Sequence, residues 1–317
     1  MNIIRWLRFI LLIIMSFSIV SACGSRSAQI VPSLDAASNC RIIQHALGET
    51  CVPAQPQRVI VLGVPTLGDA LALGVKPIGS ILYFDNPPPY LAQTREDIEV
   101  IGKEEQPNIE KILTLKPDLI IGFKYSAEAI YNQLSQVAPT VLDDWEGYPS
   151  WRNHFNFVAE VLGKTEEAKQ VWANYEQRIQ SLKVALGNRI QALEISFVYI
   201  CCGTIDIDLQ NSFSGSILAD VGLRRPAAQA TPIEGGITLL SEERLMDIDG
   251  DILFVATDGK ESAQKLAQLK QNPLWQNLKA VQHNRVYPVN YPTWRGGNPL
   301  AADAVIDDLF KYLVEGS

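Results

Sequence analysis

Residues 165–186 read TEEAKQVWANYEQRIQSLKVAL, and this stretch decides the architecture. Ala168, Val171, Tyr175, Ile179, Leu182 and Leu186 recur at intervals of three and four with polar residues between them, which draws one apolar stripe along a helix that Thr165 can cap. Such a helix extends roughly 33 Å at 1.5 Å per residue, longer than a crossover in a small sheet requires. It predicts a rod that joins two lobes.

Outward from this rod the same grammar appears on both sides. Before it, residues 58–63 read as a strand whose Val59, Ile60, Val61 and Leu62 are an unbroken apolar run, and it leads into a helix over 65–74, opened by Pro65 and closed by Gly74. Strands follow at 77–80, 118–122 and 139–142, with helices at 109–115 and 127–136. Residues 150–187 read as uninterrupted helix. After the rod come strands at 195–200, 251–256 and 285–289, and helices at 216–220, 241–246, 263–271 and 300–313. Buried apolar strands that alternate with helices predict parallel sheets. The expected fold class is therefore α/β, with two Rossmann-like lobes of mostly parallel sheet, one long helix between them and a ligand cleft where they face each other.

The amino terminus predicts export. Arg5 and Arg8 introduce an apolar run over residues 9–20, broken only by Ser16 and Ser18, which is short of the roughly 20 residues of a membrane span and has the shape of a secretory signal. Val20-Ser21-Ala22-Cys23-Gly24 resembles the lipobox of bacterial lipoproteins, in which the cysteine thiol carries a diacylglycerol. An uncleaved anchor helix is the alternative, and it predicts the same compartment. The expected division is a signal peptide at 1–22, a flexible Ser- and Pro-containing tether at 23–39, an amino-terminal lobe at 40–150, a helical connection at 151–188 and a carboxy-terminal lobe at 189–317. Of the remaining cysteines, Cys40 and Cys51 bracket two short strands and are expected to form a disulfide in an oxidising compartment. Cys201 and Cys202 would point to opposite faces of one strand, which predicts two free thiols.

Composition removes several function classes. A formal charge of −8 with no Lys/Arg cluster speaks against nucleic acid. No G-x-S-x-G elbow, H-E-x-x-H, P-loop or dinucleotide fingerprint occurs, and His45, His154 and His283 lie far apart in sequence, so an enzyme has little support. Bare zinc or manganese capture would need three or four His and carboxylate ligands that the predicted cleft does not offer.

Five stretches together carry a resemblance: Pro56-Gln57-Arg58-Val59-Ile60-Val61-Leu62, Asn108-Ile109-Glu110-Lys111-Ile112-Leu113, Ser212-Phe213-Ser214-Gly215-Ser216-Ile217-Leu218, Asn272-Pro273-Leu274-Trp275 and Asp307-Asp308-Leu309-Phe310. From about Cys40 to the carboxyl terminus the chain resembles the helical-backbone (class III) periplasmic substrate-binding proteins, in their ferric-siderophore and ferric-citrate branch. The resemblance implies a monomeric lipoprotein, without a cofactor of its own, that holds an Fe(III)–siderophore complex and passes it to an ABC permease dimer with its ATPase. It implies no direct protein ligand to the metal. It also implies one permease-docking glutamate at the tip of each lobe, at Glu110 and Glu243. A cobalamin or haem binder of the same fold is the alternative.

Ligands of open α/β sheets lie beyond the carboxyl ends of the strands. That places residues 64–66, Tyr83, Phe84, residues 123–125 and Trp145 on one side of the cleft, and residues 199–201, Thr257, Asp258 and residues 291–295 on the other. An anionic chelate with an apolar skirt calls for cations and flat aromatic faces. Lys124, Tyr125, Tyr199, Arg225, Trp294 and Arg295 are the expected contacts. Similar siderophore binders often place arginine on the first strand of the second lobe, where this chain has Tyr199 and Cys201.

Overall fold

The computed structural model describes residues 40–81, 88–92, 97–103 and 106–316. The expected signal peptide, Cys23, the tether, Tyr83 and Phe84 lie outside the described residues.

The chain opens with a hairpin, β1 (Cys40–His45) and β2 (Gly48–Pro53), and Cys40 and Cys51 are disulfide-bonded across it with their Cα atoms 5.5 Å apart. The first large sheet is built from β3 (Val59–Val61), β4 (Gly79–Ser80), β5 (Glu99–Val100), β8 (Leu119–Phe123) and β9 (Thr140–Asp143). The two-residue strands β6 (Gly102–Lys103) and β7 (Gln106–Pro107) form a separate ribbon. The large sheet runs in the order β5-β4-β3-β8-β9, and every pair in it is parallel. Helices α1 (Val64–Ala72), α2 (Ile109–Leu115), α3 (Lys124–Ala127) and α4 (Tyr131–Val137) connect these strands. The single helix expected over 127–136 is split by a 3₁₀ turn at Glu128–Ile130. Val59, Val61, Leu119 and Ile121 face one core and Ile60, Leu62, Ile120 and Leu142 the other, so both faces of the sheet are covered, which explains the unbroken apolar runs.

Two helices then follow in tandem, α5 (Trp151–Leu162) and α6 (Thr165–Leu186), separated by Gly163 in the left-handed region at φ 68°. The second is the rod. Its Ala168 belongs to the core beneath the first sheet, whereas Tyr175, Ile179, Leu182 and Leu186 belong to the core of the second, and Trp172 packs against both. One helix is thus buried at its two ends in two different cores.

The second large sheet contains β10 (Ile195–Cys201), β11 (Thr204–Asp208), β12 (Ile237–Leu239), β13 (Ile252–Thr257) and β14 (Val286–Asn290). Its order is β12-β11-β10-β13-β14. The β10–β13 and β13–β14 pairs are parallel, and β11 and β12 extend it as antiparallel strands. Helices α7 (Phe213–Val221) and α12 (Pro299–Phe310) cover one face together with the rod, and α8 (Gly259–Leu269), α9 (Pro273–Gln276) and α10 (Lys279–Gln282) lie on the carboxy-terminal side of β13. The short α11 (Tyr291–Trp294) links β14 to α12. The helix expected at 241–246 is a 3₁₀ segment, Glu242–Ile248, kinked at Arg244. Two mostly parallel sheets and one long connecting helix make up the architecture. Asn298, which caps α12, donates to the Tyr90 hydroxyl at 3.2 Å and ties the first lobe to the second beside the rod.

Candidate ligand cleft

In the first lobe, β8 passes directly into α3, with Phe123 as the junction. Phe123 is fully buried and its ring lies against the backbone of Gly63, where a Cβ would stand 2.4 Å from Phe123 Cε2. Only glycine admits the ring there. From this base Tyr125 projects with 60% of its surface exposed, its ring stacked on Phe123 at 5.4 Å and 17°. Trp145 packs on Phe123 from another side at 5.2 Å and meets Tyr148 edge-on at 6.0 Å. Lys124 is partly exposed, 3.7 Å from Asp144.

In the second lobe Tyr199, near the carboxyl end of β10, stacks on Tyr291 at 4.0 Å and 16°. The Arg295 guanidinium lies over Tyr199 at 4.7 Å. A hydrogen bond joins Tyr291 to Tyr148 and closes the run of aromatic rings between the lobes. Tyr125, Phe123, Trp145, Tyr148, Tyr291 and Tyr199 therefore form one continuous aromatic wall across the carboxyl ends of both sheets. Burial pushes the hydroxyls of Tyr148, Tyr199 and Tyr291 above their ordinary range, so all three are neutral groups able to donate.

Charge is arranged differently from expectation. Arg295 is only 7% exposed and is held by two carboxylates: its Nε donates to Asp208 Oδ1 at 2.9 Å, its Nη2 to the same oxygen at 2.5 Å and its Nη1 to Asp206 Oδ2 at 3.1 Å. Burial pulls its pKa down, but Asp208 and Asp206 more than reverse this. Arg225 is buried behind the same aspartate, with Nη2 donating to the Asp208 carbonyl at 2.7 Å and to Gln229, and burial lowers it to about 10. Its Nε and Nη1 have no hydrogen-bond partner. Arg295 is thus paired with Asp206 and Asp208, whereas Arg225 meets only the Asp208 carbonyl and Gln229.

Lys124 and Tyr125 lie at the surface of the first lobe and Tyr199 and Arg295 pack on each other in the second, nearly buried, and two further expected contacts are buried too. Trp294 is fully buried between Phe197 and Phe254, and its indole N–H donates to Asp308 at 2.8 Å. It has no face to offer a ligand, because α11 turns it back into the core of the second sheet. Arg225 likewise stands behind the wall, 8% exposed, with Nη2 turned to the Asp208 carbonyl and Gln229. Residues 64–66, expected at the rim, are buried as well, and the Thr66 hydroxyl bonds to His154 Nε2 at 2.9 Å. Cys201 and Cys202 are bonded to each other, contrary to the expectation of free thiols. Cys202 has left the strand for the left-handed region at φ 55°, so the opposite-face geometry of consecutive strand residues does not apply to it.

Sequence reasoning missed Tyr148, Asp206 and Asp208. Thr204-Ile205-Asp206-Ile207-Asp208 alternates with a period of two, the mark of a strand, but the acidic face reads as solvent-facing when it is the face that meets Arg295. Away from the wall, Glu110 is exposed in the first turn of α2, which Asn108 caps by accepting from the Lys111 N–H. Glu243 is exposed in the first turn of the 3₁₀ segment, whereas its neighbour Glu242 is ion-paired to Lys265 at 2.5 Å.

The chain is similar to known proteins in sequence and in fold. A sequence profile described as periplasmic binding protein matches residues 59–290. The probable siderophore-binding lipoprotein YfiY of Bacillus subtilis (strain 168) is 32% identical over 316 residues, covering 95% of this chain and 96% of that protein. The Fe(3+)-citrate-binding protein YfmC of the same organism is 32% identical over 285 residues, covering 87% and 86%. Among solved structures, Staphylococcus aureus SirA complexed with staphyloferrin B superimposes with a TM-score of 0.76 at 29% identity, covering 86% of this chain and 98% of that one.

Proposed function

This chain belongs to the periplasmic binding protein family, and from that premise we propose that it captures a ferric siderophore of the citrate or hydroxamate type and delivers it to the permease of an ABC importer. The observation that carries the ligand class is the aromatic wall. Six rings span the strand ends of both lobes, which suits a bulky complex with an apolar skirt. Three neutral phenols within the wall can donate to the chelate's oxygens. The pairing of Arg295 with Asp206 and Asp208 favours a chelate of low net charge over a highly anionic one. Lys124 and the exposed Tyr125 are the surface contacts assigned to it, with Tyr199 and Arg295, 6% and 7% exposed, assigned to it through the edges they leave open.

Tryptophan fluorescence of the full chain tests this reading. Ferric citrate or a ferric hydroxamate should quench the signal through Trp145, free Fe(III) should not, and Trp145→Phe should remove most of the response. A flat titration across these chelates, with a response to haem or cobalamin, would overturn the ligand class.

Delivery rests on two exposed carboxylates. Glu110 on the first lobe and Glu243 on the second are the assigned partners of permease arginines, and the pairing of Glu242 with Lys265 supports Glu243 as the free member of that pair. The relatives include a lipoprotein, and the lipid on Cys23 is assigned as the anchor that keeps the protein on the outer side of the membrane, near that permease. The lobes are assigned to residues 40–150 and 189–317, with 151–188 as their connection.

A further inference from the structure

Adjacent cysteines are a costly way to build a hairpin. β10 ends at Cys201, β11 begins at Thr204 and these two residues pair across the ladder, so the turn consists of Cys202 and Gly203 alone. Both are in the left-handed region, at φ 55° and 79°, as a two-residue turn of this hand requires. Asn-Gly or Asp-Gly satisfies that geometry with the least strain, because a short polar side chain tolerates φ > 0 better than other non-glycine residues do. Cysteine at this position gains nothing from the backbone. What it adds is its sulfur, bonded to that of Cys201.

The location gives the sulfurs a use. Cys201 lies on the same face of β10 as Phe197 and Tyr199, since alternate residues share a face, and it is the next residue on that face beyond the ring that stacks on Tyr291. It is half-buried against the core that includes Tyr199, whereas Cys202, Gly203 and Thr204 are exposed. The bond therefore sits at the lip of the aromatic wall with one sulfur-bearing residue open to solvent, and exposed disulfides are the ones that exchange.

We propose that Cys201–Cys202 is a thiol–disulfide exchange site at the lip of the ligand cleft, whose co-reactant is an extracytoplasmic dithiol and whose redox state sets the affinity for the chelate. In the first step a thiolate of the dithiol attacks Cys202 Sγ, forms a mixed disulfide and expels the Cys201 thiolate, which takes up a proton. In the second step the other thiol of the reductant attacks the mixed disulfide, leaves as the oxidised dithiol and frees the Cys202 thiol. Two electrons pass from the dithiol to the pair, and reoxidation reverses both steps. Reduction opens the ring that ties Cys202 to the strand and replaces a sulfur–sulfur surface beside Tyr199 with two S–H groups. The affinity claim rests on the cleft reading above. The exchange itself does not.

The test uses the full chain purified without reductant, with peptide mass mapping after alkylation by iodoacetamide. Without reductant, Cys201 and Cys202 should remain unalkylated in a peptide 2 Da lighter than the dithiol form, as for any one disulfide. After dithiothreitol treatment of the folded protein both should be alkylated together. Alkylation of both without reductant, or protection of both until the protein is denatured, overturns the exchange site whether or not any chelate binds. Ferric citrate and ferric hydroxamate titrations then compare the two states. Reduction should change Kd by at least about threefold, and Cys202→Ser should behave like the reduced protein with or without reductant. Equal, measurable affinities in all three forms overturn the coupling and leave the chelate reading intact. If no chelate binds in any form, the ligand class and the coupling that rests on it both fall, while the mass result still decides the exchange.

Discussion

Asp69 shows how one residue can carry a pH response. It is fully buried in α1, both of its carboxyl oxygens lack a hydrogen-bond partner, and the His154 imidazole stands beside it with Nε2 3.4 Å away. His154 Nδ1–H donates to Asp143 at 2.7 Å, which leaves Nε2 to accept from Thr66. An ionised Asp69 would then face a lone pair. Burial, and next the Asp143 carboxylate, hold its pKa well above the usual 3.8, while burial lowers that of His154. A raised carboxyl pKa means that the folded state binds the proton more tightly than the unfolded one. Its stabilisation is complete below about 4 and is lost as the pH rises through the folded value. Asp69→Asn should therefore flatten the fall in urea midpoint between pH 4.5 and 8 relative to the parent protein, and a parallel pair of curves would show that Asp69 is ionised throughout. Gly63 allows a second prediction at this scale. Gly63→Ala forces Phe123 to move and should destabilise the fold by about 1–3 kcal/mol while weakening chelate binding, because Tyr125 and Trp145 rest on that ring. Equilibrium unfolding and a chelate titration check both parts. The partners of His154 were not legible in the sequence, since Thr66, Asp143 and His154 lie up to 88 positions apart and nothing local relates them.

At the scale of the element, the bounds of the rod were legible, although its N-cap is Lys164 and the expected cap, Thr165, is the first helical residue with no side-chain cap bond formed. Its period of three and four follows from burying one stripe, and that stripe is buried whichever core receives it. Leu182→Ala removes a fully buried side chain from the second core and should cost about 2–5 kcal/mol in chemical denaturation. A loss below 1 kcal/mol would mean that the helix is not a supporting part of that core. Parallel strands were equally legible, because burial on both faces leaves an uninterrupted apolar run. The antiparallel extension was not. β12 is three residues long, and β11 pairs an apolar face with an acidic one whose destination, Arg295, is 87 positions from Asp208. Local pattern reports periodicity, and it does not report which face a distant arginine will neutralise.

Over the whole molecule the two exposed glutamates, proposed for delivery, lie apart from the wall, proposed for capture. Glu110→Arg and Glu243→Arg should each leave chelate Kd within about twofold of the parent while lowering cellular iron–chelate uptake at least about tenfold, since reversing a charge turns an attraction into a repulsion. Titration with the purified variants and uptake of radiolabelled iron chelate read the two effects independently, and equal loss of both would place these residues in the cleft. The rod is buried in one core at Ala168 and in the other from Tyr175 to Leu186, so it is part of both.

By itself the sequence determined the alternation of strand and helix, the long connecting helix and the candidate strand ends, because each depends on burial periodicity within a short window. Only the tertiary structure decided that Trp294 and Arg225 stand behind the wall, that Tyr148 bridges to Tyr291, and that Arg295 spends its charge on Asp206 and Asp208. Those outcomes depend on which groups from distant segments meet in a low-dielectric interior, where a charge must find its partner and a ring its neighbour.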